Sequence, residues 1–355
     1  MENKGLIFIP DISGFTRFVN ETEIEHSRLI IQELLEILIN ANESGLEVSE
    51  IEGDAILFYK FGEPPTLESL YKQVEKMFCA FHRGLISYEH NRYCQCRSCK
   101  AAIDLTLKVI THYGEFTGYN VRKFSKLIGR DIIVAHQLLK NDIDLHEYWL
   151  ITSPLAGENK PPAFLTEWMQ WNSSVKQTEA GEIHFLYTQL GDLKHQLTRE
   201  PLSQPDLSTK AKVISVSQVY ESGIIPLFHA TGDFNYRSMW QEGVKNVEEI
   251  AHLLPRIGMR CRRIMENGDT IIYSSSYTYQ SGKIEFSETD EKSEEITYYI
   301  LEEINNGRTK LTIDFYISKN MLTKTVFKIL KKQRAEAVWN KSLDNLQKVI
   351  KTIKV

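Results

Sequence analysis

Two aspartates occupy positions from which their carboxylates could hold metal ions together. Asp11 follows the short apolar run Gly5 to Pro10, and Asp54 lies in the turn Glu52-Gly53-Asp54 between two further apolar runs. Hard divalent cations such as Mg²⁺ and Mn²⁺ take carboxylate oxygens held by a rigid backbone. If these runs are adjacent strands, the pattern predicts a metal site for phosphoryl chemistry. A helix cap at Asp11 and a plain hairpin turn at Asp54 are the structural alternatives.

The residues that follow Asp11 could bind phosphate. The turn from Ile12 to Thr16 opens a helical pattern, and the first N–H groups of a helix have no partner within the helix. Together with the helix dipole, they favour an anion at that end. A phosphate subsite beside the aspartates is therefore expected.

These residues require a layered framework to bring them together. Apolar spacing and turn residues predict a strand–turn–helix unit, an acidic-tipped hairpin, and further helices and a strand within about 155 residues. The predicted strands are 5–10, 46–51, 55–61 and 105–111, and the predicted helices are 24–39, 67–88 and 132–139.

Four segments carry a resemblance to a known family. Phe8-Ile9-Pro10-Asp11-Ile12-Ser13-Gly14-Phe15-Thr16 and Glu52-Gly53-Asp54-Ala55-Ile56-Leu57 resemble the strand–helix and hairpin signatures of class III adenylate and guanylate cyclases. His112-Tyr113-Gly114-Glu115 and the segment from Gly129 to Leu138 resemble two later signatures, and the likeness covers about residues 5 to 150. It implies an α+β fold, a ferredoxin-like α/β sandwich of the nucleotide cyclase type.

The resemblance also implies roles for individual residues. Asp11, Asp54 and the Ile12 carbonyl would hold two Mg²⁺ or Mn²⁺ ions. A nucleoside triphosphate would be bound in a homodimer, because family sites lie between two protomers. The implied phosphate-binding residues are Ser13, Gly14, Phe15 and Thr16.

The chain departs from the family where the transition state is stabilised. An asparagine and an arginine four residues later are replaced by Ile133 and Gln137. Isoleucine donates no hydrogen bond, and neutral glutamine cannot supply an arginine's charge-assisted contact. Loss of one such group costs on the order of 10²–10³ in rate. We therefore expect lost or altered cyclase activity.

The base-reading positions are altered as well. They hold Glu50, the residue type of guanylate cyclases, and Lys126, which fits neither the adenine nor the guanine pattern. The two could read a purine, or could form a structural salt bridge with each other.

A cysteine cluster provides a second candidate metal site. His90, Cys94, Cys96 and Cys99 lie within ten residues, with ligand types suited to a tetrahedral zinc ion. Thiols without metal in a helix-to-strand loop are the alternative. The predicted role is structural.

The remainder of the chain has a different pattern. A helix-like stretch at 236–254 precedes strand-like runs at 270–279, 295–302 and 309–317. The last thirty residues carry an apolar stripe with helical spacing, formed by Val326, Ile329, Leu330, Val338, Leu343, Leu346, Val349 and Ile353.

This element order resembles the helix-grip, START-like (SRPBCC) superfamily, in which an antiparallel sheet wraps a long C-terminal helix. The resemblance implies a hydrophobic small-molecule ligand. Aromatic residues that could line a cavity or form the core are Trp240, Tyr277, Tyr279, Tyr298, Phe315 and Trp339.

Composition sets the remaining expectations. The length of 355 residues predicts two domains. The two resemblances place a cyclase-like domain at 1–155 and a START-like domain at 210–355, with a proline-containing linker or extension at 156–209. A net charge of −5 gives no global attraction for nucleic acid. No apolar stretch reaches the roughly 20 residues of a membrane span, and the N-terminus lacks a signal-peptide pattern. The expected location is cytoplasmic.

Three hypotheses follow. In the first, the chain binds metal and triphosphate with decayed chemistry, coupled to a ligand-binding domain. In the second, it is an active cyclase in which Arg130, Lys126 or Arg122 supplies the missing charge. In the third, the N-terminal domain is a dimerisation scaffold for a small-molecule carrier.

Overall fold

The computed structural model describes residues 3–22, 24–92, 94, 96–156, 168–178, 181–198, 204–250, 256–266, 268–305, 307–319 and 332–351. The chain divides into two compact units. Met1–Glu89 and Cys96–Arg199 form the first unit, and His90–Gln95 and Glu200–Val355 form the second. Both units combine helices with β-sheet, as expected for the α+β class.

The first unit contains nine strands and six α-helices within the described residues. Its strands are β1 Lys4–Ser13, β2 Glu47–Glu52, β3 Ala55–Phe61, β4 Thr106–Glu115, β5 Thr117–Val121, β6 Phe124–Ile128, β7 Tyr148–Thr152, β8 Trp171–Thr178 and β9 Gly181–Gln189. Its helices are α1 Phe15–Glu21, α2 Ile24–Asn40, α3 Leu67–Asn91, α4 Arg97–Ala101, α5 Arg130–Leu139 and α6 Ser153–Ala156.

Seven of these strands form one sheet in the order β2-β3-β1-β4-β7-β9-β8. Only β4 and β7 pair in parallel within this sheet, and the other neighbours are antiparallel. The strands β5 and β6 make a separate two-stranded ribbon. Because β8 and β9 extend the sheet, residues 171–189 of the predicted linker are part of this unit.

The central strand β1 is buried from Gly5 to Ser13. Successive side chains of a strand point to opposite faces, so both faces of the sheet are covered here. On one face, α5 contributes Ile132 and Leu138 to a core cluster with Ile7 and Ile110. Burial of such side chains stabilises the fold by about 1.5–3 kcal/mol each. This packing fixes α5 beside the end of β1 where Asp11 lies.

The second unit forms a seven-stranded antiparallel sheet in the order β10-β16-β15-β14-β13-β12-β11. Its strands are β10 Lys210–Tyr220, β11 Val244–Glu249, β12 Arg260–Met265, β13 Thr270–Gln280, β14 Lys283–Asp290, β15 Ile296–Asn305 and β16 Arg308–Ser318. Its helices are α7 Ile224–Gly232, α8 Arg237–Trp240 and α9 Lys332–Ile350.

The C-terminal helix α9 packs on β10, α7 and α8. Of the predicted apolar stripe, Leu343, Leu346 and Val349 are buried, whereas Val338 is exposed. The Tyr220 hydroxyl donates to the Leu343 carbonyl oxygen at 2.9 Å and fixes the helix against β10. The stripe residues that lie outside the described part of the chain are Val326, Ile329, Leu330 and Ile353.

The prediction of a helix at 236–254 is wrong. The helix α8 ends at Trp240, and β11 follows at Val244–Glu249. Gly243 has a φ of +86°, in the left-handed region that breaks a helix, and the residues after it pair with β12. Tertiary pairing therefore overrides a helix-like local pattern.

The six candidate cavity aromatics have different environments. Trp240 and Trp339 belong to the core cluster of the second unit, and Tyr277 and Phe315 pack against it. Tyr298 is half-buried, and Tyr279 is 52% exposed. Core packing therefore accounts for four of the six.

The second unit also buries an ion pair. Arg237 contacts Glu288 and donates to the Tyr299 hydroxyl at 2.7 Å and to the Thr231 carbonyl at 3.0 Å. Although burial opposes the charge, the Glu288 carboxylate raises the pKa of Arg237. This network ties α7 and α8 to β14 and β15.

Within the described ranges, no helix combines the length and apolar character needed to cross a bilayer.

Candidate metal and phosphate site

Asp11 lies on the central strand of the first sheet, between two partners. It pairs with Ala55 of β3 on one side and with Lys108 of β4 on the other. The Lys108 ammonium is 3.5 Å from Asp11 Oδ2 and donates to the Leu139 carbonyl at 3.1 Å. The carboxyl group is therefore held by regular β-pairing, with a cation beside it.

Asp54 is brought to the same place by the β2–β3 hairpin. Glu52 pairs with Ala55, so Gly53 and Asp54 form a two-residue turn, and Gly53 has a φ of +62°. The Ile12 N–H donates to the Asp54 carbonyl at 3.0 Å. This bond joins the hairpin tip to the turn after Asp11, and both aspartates line one cleft.

The pair combines a buried carboxyl, Asp11, with a half-buried one, Asp54. Burial raises the pKa of Asp11 from 3.8 to about 6, the Lys108 ammonium opposes the shift, and the Asp54 carboxylate adds to it. Burial also raises the pKa of Asp54. Two ionised carboxyls in one cleft repel each other, and a divalent cation would remove that repulsion.

The turn after Asp11 has the geometry of an anion-binding helix start. Gly14 precedes α1 with a φ of +88°, a conformation that a Cβ would strain. Ser13 Oγ is buried and has no hydrogen-bond partner among the described residues. Ser13, Gly14, Phe15 and Thr16 all line the cleft, so the predicted phosphate residues lie beside both aspartates.

The cleft is about 700 Å³ in volume, within the range of small-molecule sites. Its walls are the α1 turn, the β2–β3 hairpin, β4 and one face of α5. Charged or titratable residues beyond the aspartates are Arg17, Glu52, Lys108, His136, Lys140 and His146. Acidic and basic groups together suit a metal-bound polyphosphate.

Ile133 and Gln137, the positions that the cyclase resemblance assigns to the transition state, lie on α5. Ile133 is 58% exposed and lines the cleft with Gln137, whose Oε1 is buried without a partner among the described atoms. The His136 imidazole is 3.9 Å from the Glu52 carboxylate, which links the helix to the hairpin. Neither Ile133 nor Gln137 offers a cation at this wall.

The two positions that the resemblance assigns to base reading contact each other. Lys126 forms a salt bridge with Glu50, and neither lines the cleft within the described chain. Arg122 and Arg130, named as substitute cations, are exposed and also lie outside its lining. The cations at the cleft are instead Arg17, Lys108 and Lys140.

The His112–Glu115 motif joins β4 to α5. His112 Nε2 lies 3.0 Å from Asp131 Oδ1, and His112 Nδ1 lies 2.7 Å from Thr152 Oγ1. The Glu115 N–H donates to Asp131 Oδ2 at 2.6 Å. A Cβ on Gly114 would come within 2.2 Å of Asp131 Cγ, which explains glycine there. The motif positions α5 and does not line the cleft.

The thiol cluster has a different histidine from the predicted one. The ligand atoms of His26, Cys94, Cys96 and Cys99 lie within 4.8 Å of one another. His90 is half-buried near the end of α3 and is not in this group. The sequence predicts His90 as a ligand, whereas the structure groups His26 with the cysteines, because α2 packs against α4 and brings in a histidine 70 residues before Cys96.

Sequence reasoning missed Lys108 and His26 for the same reason. Each reaches its site through pairing or packing between distant segments. Extending β4 opposite β1 in antiparallel register would have placed Lys108 beside Asp11. No signal near the cysteines marks His26.

Comparisons with known proteins add the following. A family model described as "Protein of unknown function (DUF2652)" matches residues 31–148. "Uncharacterized protein Rv2561/Rv2562" of Mycobacterium tuberculosis is 29% identical over 133 residues, which are 35% of this chain and 58% of that protein. The matched part thus spans little more than half of the relative's length.

Solved structures with some likeness include nucleotide cyclases. A bacterial light-regulated adenylyl cyclase shares 15% identity with a TM-score of 0.37, covering 55% of this chain and 98% of that one. The dimeric guanylyl cyclase domain of the RhoGC fusion protein from the aquatic fungus Blastocladiella emersonii shares 14% identity with a TM-score of 0.36, covering 52% and 96%.

Proposed function

We propose that the first unit is a divergent class III nucleotide cyclase homologue that binds divalent metal and a nucleoside triphosphate but has lost or altered its cyclase chemistry. The observation that carries the proposal is the convergence of Asp11 and Asp54, 43 positions apart in sequence, beside a helix-opening turn in one cleft. The cyclase signatures around both residues support the same assignment.

The residues present fit such ions. The carboxylates of Asp11 and Asp54 and the Ile12 carbonyl are oxygen donors, which Mg²⁺ and Mn²⁺ prefer. When bound, the ions would neutralise phosphate charge and polarise the phosphorus–oxygen bonds. The turn from Ser13 to Thr16 would orient phosphate oxygens, and the buried Ser13 Oγ has a hydrogen bond to give. Lys108 would hold Asp11 in position and add positive charge.

The same cleft explains why turnover would be weak. Ile133 and Gln137 lie where the family has an asparagine and an arginine, and neither stabilises charge on the transferring phosphorus. An active cyclase is the second candidate, because Arg17, Lys108 and Lys140 already line the cleft and carry charge. Lys126 is engaged by Glu50, so base selection by that pair would require the salt bridge to open.

The proposed active form is a cytoplasmic homodimer. The β5–β6 ribbon and the adjoining α5 expose Tyr119, Val121, Ile128 and Ile133, which are large apolar side chains suited to contact with a second copy. Sedimentation velocity should show a dimer that Ile128→Asp weakens. A monomer at all concentrations would remove this part of the proposal.

The second unit is proposed to be a START-like domain that binds a hydrophobic small molecule. Its antiparallel sheet and the packing of α9 are consistent with a helix-grip arrangement. An apolar ligand should then raise the melting temperature of the protein. The thiol cluster would hold a different ion, Zn²⁺, which takes no part in this binding or in phosphoryl chemistry.

Turnover assays with each nucleoside triphosphate and Mn²⁺ test the proposal. We expect a triphosphate with Mn²⁺ to raise the melting temperature, while cyclic product stays at the level of the Asp54→Ala control. Ile133→Asn with Gln137→Arg should raise product formation, since each restored group is worth about 10²–10³ in rate. Robust product from the unmodified protein would establish the active-cyclase alternative. No response to metal or triphosphate, with stabilisation by an apolar ligand, would establish the scaffold alternative.

A further inference from the structure

We propose that His26, Cys94, Cys96 and Cys99 form a structural zinc site, with the imidazole supplied by α2. The four ligand atoms lie within 4.8 Å of one another. Three are sulfurs from one short stretch of chain, and the fourth is a nitrogen from a helix far away in sequence. This site is independent of the aspartates and of any nucleotide.

The distances match those around a tetrahedral ion. His26 Nδ1 lies 3.3 Å from Cys96 Sγ and 3.4 Å from Cys99 Sγ. Zinc bonds of about 2.3 Å to sulfur and about 2.0 Å to nitrogen, at the tetrahedral angle, place two such ligand atoms about 3.5 Å apart. These two nitrogen–sulfur distances are therefore close to the spacing that zinc requires.

The surroundings of the sulfurs suit bound thiolates. The Tyr88 hydroxyl donates to Cys99 Sγ at 2.8 Å, and the Cys99 N–H approaches Cys96 Sγ at 3.5 Å. Cys94 and Cys99 are each 1% exposed. Hydrogen bonds to ligand sulfur orient the ligands and offset the negative charge of three thiolates around one divalent ion.

The donor set selects the metal. Thiolates and imidazole favour zinc over the oxygen-binding ions proposed at Asp11 and Asp54. Four protein ligands leave no open position for a substrate, so the role is structural. The site links α2 to α4, and α4 also contacts α1. Zinc would thus hold α2 and α4 together next to α1, the helix that follows the proposed phosphate-binding turn.

Cobalt titration of the reduced, chelator-stripped full chain tests the site. We expect about one equivalent of Co²⁺ to give the intense visible bands of a tetrahedral ion with a thiolate charge-transfer band, and Zn²⁺ to abolish both. His26→Ala should weaken binding by more than about 100-fold, since even outer-shell changes cost about 10–100-fold.

Matched variants separate a ligand from a structural residue. His90→Ala, which removes the histidine nearest to the cysteines in sequence, should bind as the unmodified chain does. Cys79→Ser should also bind normally, because Cys79 is outside the cluster. His26→Cys should restore tetrahedral binding with stronger charge transfer, even if His26→Ala fails to fold. Octahedral cobalt spectra from the folded unmodified chain, or normal tetrahedral binding by His26→Ala, would overturn the proposal.

Discussion

The Asp11 carboxyl group is buried, lies 3.5 Å from the Lys108 ammonium and interacts electrostatically with the Asp54 carboxyl. Its side chain is 12% exposed, and its pKa is raised to about 6 by burial. Ionisation of a buried carboxyl without a bound cation costs stability. The residue therefore links folding to pH in the metal-free protein.

The direction of this dependence follows from proton counting. Between pH 3.8 and about 6, the folded protein keeps a proton on Asp11 that the unfolded chain has lost. The free energy of unfolding therefore falls as pH rises through this window. Asp11→Asn removes the effect, so the variant should gain about 2 kcal/mol relative to the unmodified protein between the two ends of the window.

Urea denaturation of chelator-treated protein below and above the window measures this gain. Asp142→Asn, at an exposed aspartate outside the cleft, is the matched control and should show no such gain. An equal difference between Asp11→Asn and the unmodified protein at both pH values would contradict the account.

The residues of the site differ in how far sequence could predict them. Asp11 and Asp54 lie in short signatures whose local structure, a strand–turn–helix and a tight hairpin, is encoded by neighbouring residues. Lys108 and His26 are brought in by strand register and helix packing, which local patterns do not specify. The nearest histidine, His90, was favoured by sequence distance alone.

At the scale of elements, β4 and α5 form the unit that positions one wall of the cleft. The Asp131 carboxylate accepts from the Glu115 N–H and binds His112, and the hydrogen bond from His112 lowers the pKa of Asp131. Gly114 leaves the space that this carboxylate occupies. The Asp131 carboxylate therefore holds the first turn of α5 against β4.

Gly114→Ala should destabilise the protein by about 2 kcal/mol, because a Cβ would overlap the Asp131 carboxylate. Denaturant unfolding measures the loss. Gly118→Ala adds a methyl group on β5 with its nearest neighbour at 3.9 Å, and should change stability by less than about 0.5 kcal/mol. Equal effects of the two substitutions would contradict the claim that the contact between β4 and α5 requires glycine at position 114.

The elements show where local patterns are sufficient. The β2–β3 hairpin and helices α3 and α5 follow the predicted periodicity closely, since amphipathic spacing determines them. The local pattern predicts a helix at strand β11, because the strand depends on pairing with β12. Strands β8 and β9 carry polar, partly exposed residues, so their sequence does not mark them as strands. They are identified by their pairing at one edge of the first sheet.

At the scale of the whole molecule, each unit has its own core, and the second relies on a buried ion pair. Arg237 is fully buried with Glu288 and the Tyr299 hydroxyl. A buried charge left without its partner is costly, whereas an apolar pair of similar volume is often tolerated.

Arg237→Met alone should destabilise the second unit by about 3–5 kcal/mol, and adding Glu288→Leu should recover most of that loss. Thermal unfolding would measure the change in stability. Hydrogen exchange of strands β14 and β15 would show whether it arises in the second unit. If the double variant is no more stable than the single one, the loss in Arg237→Met does not come from leaving the Glu288 charge unpaired.

The central claim is that Asp11 and Asp54 together hold a divalent ion and a triphosphate. Calorimetric titration of Mn²⁺ with GTP and with ATP into the purified chain measures it directly. We predict saturable binding by the unmodified protein and by the exposed-site control Asp142→Ala, and a loss of at least about 100-fold in both Asp11→Ala and Asp54→Ala. Binding unchanged by either substitution, in variants whose circular dichroism matches the unmodified protein, would contradict the account.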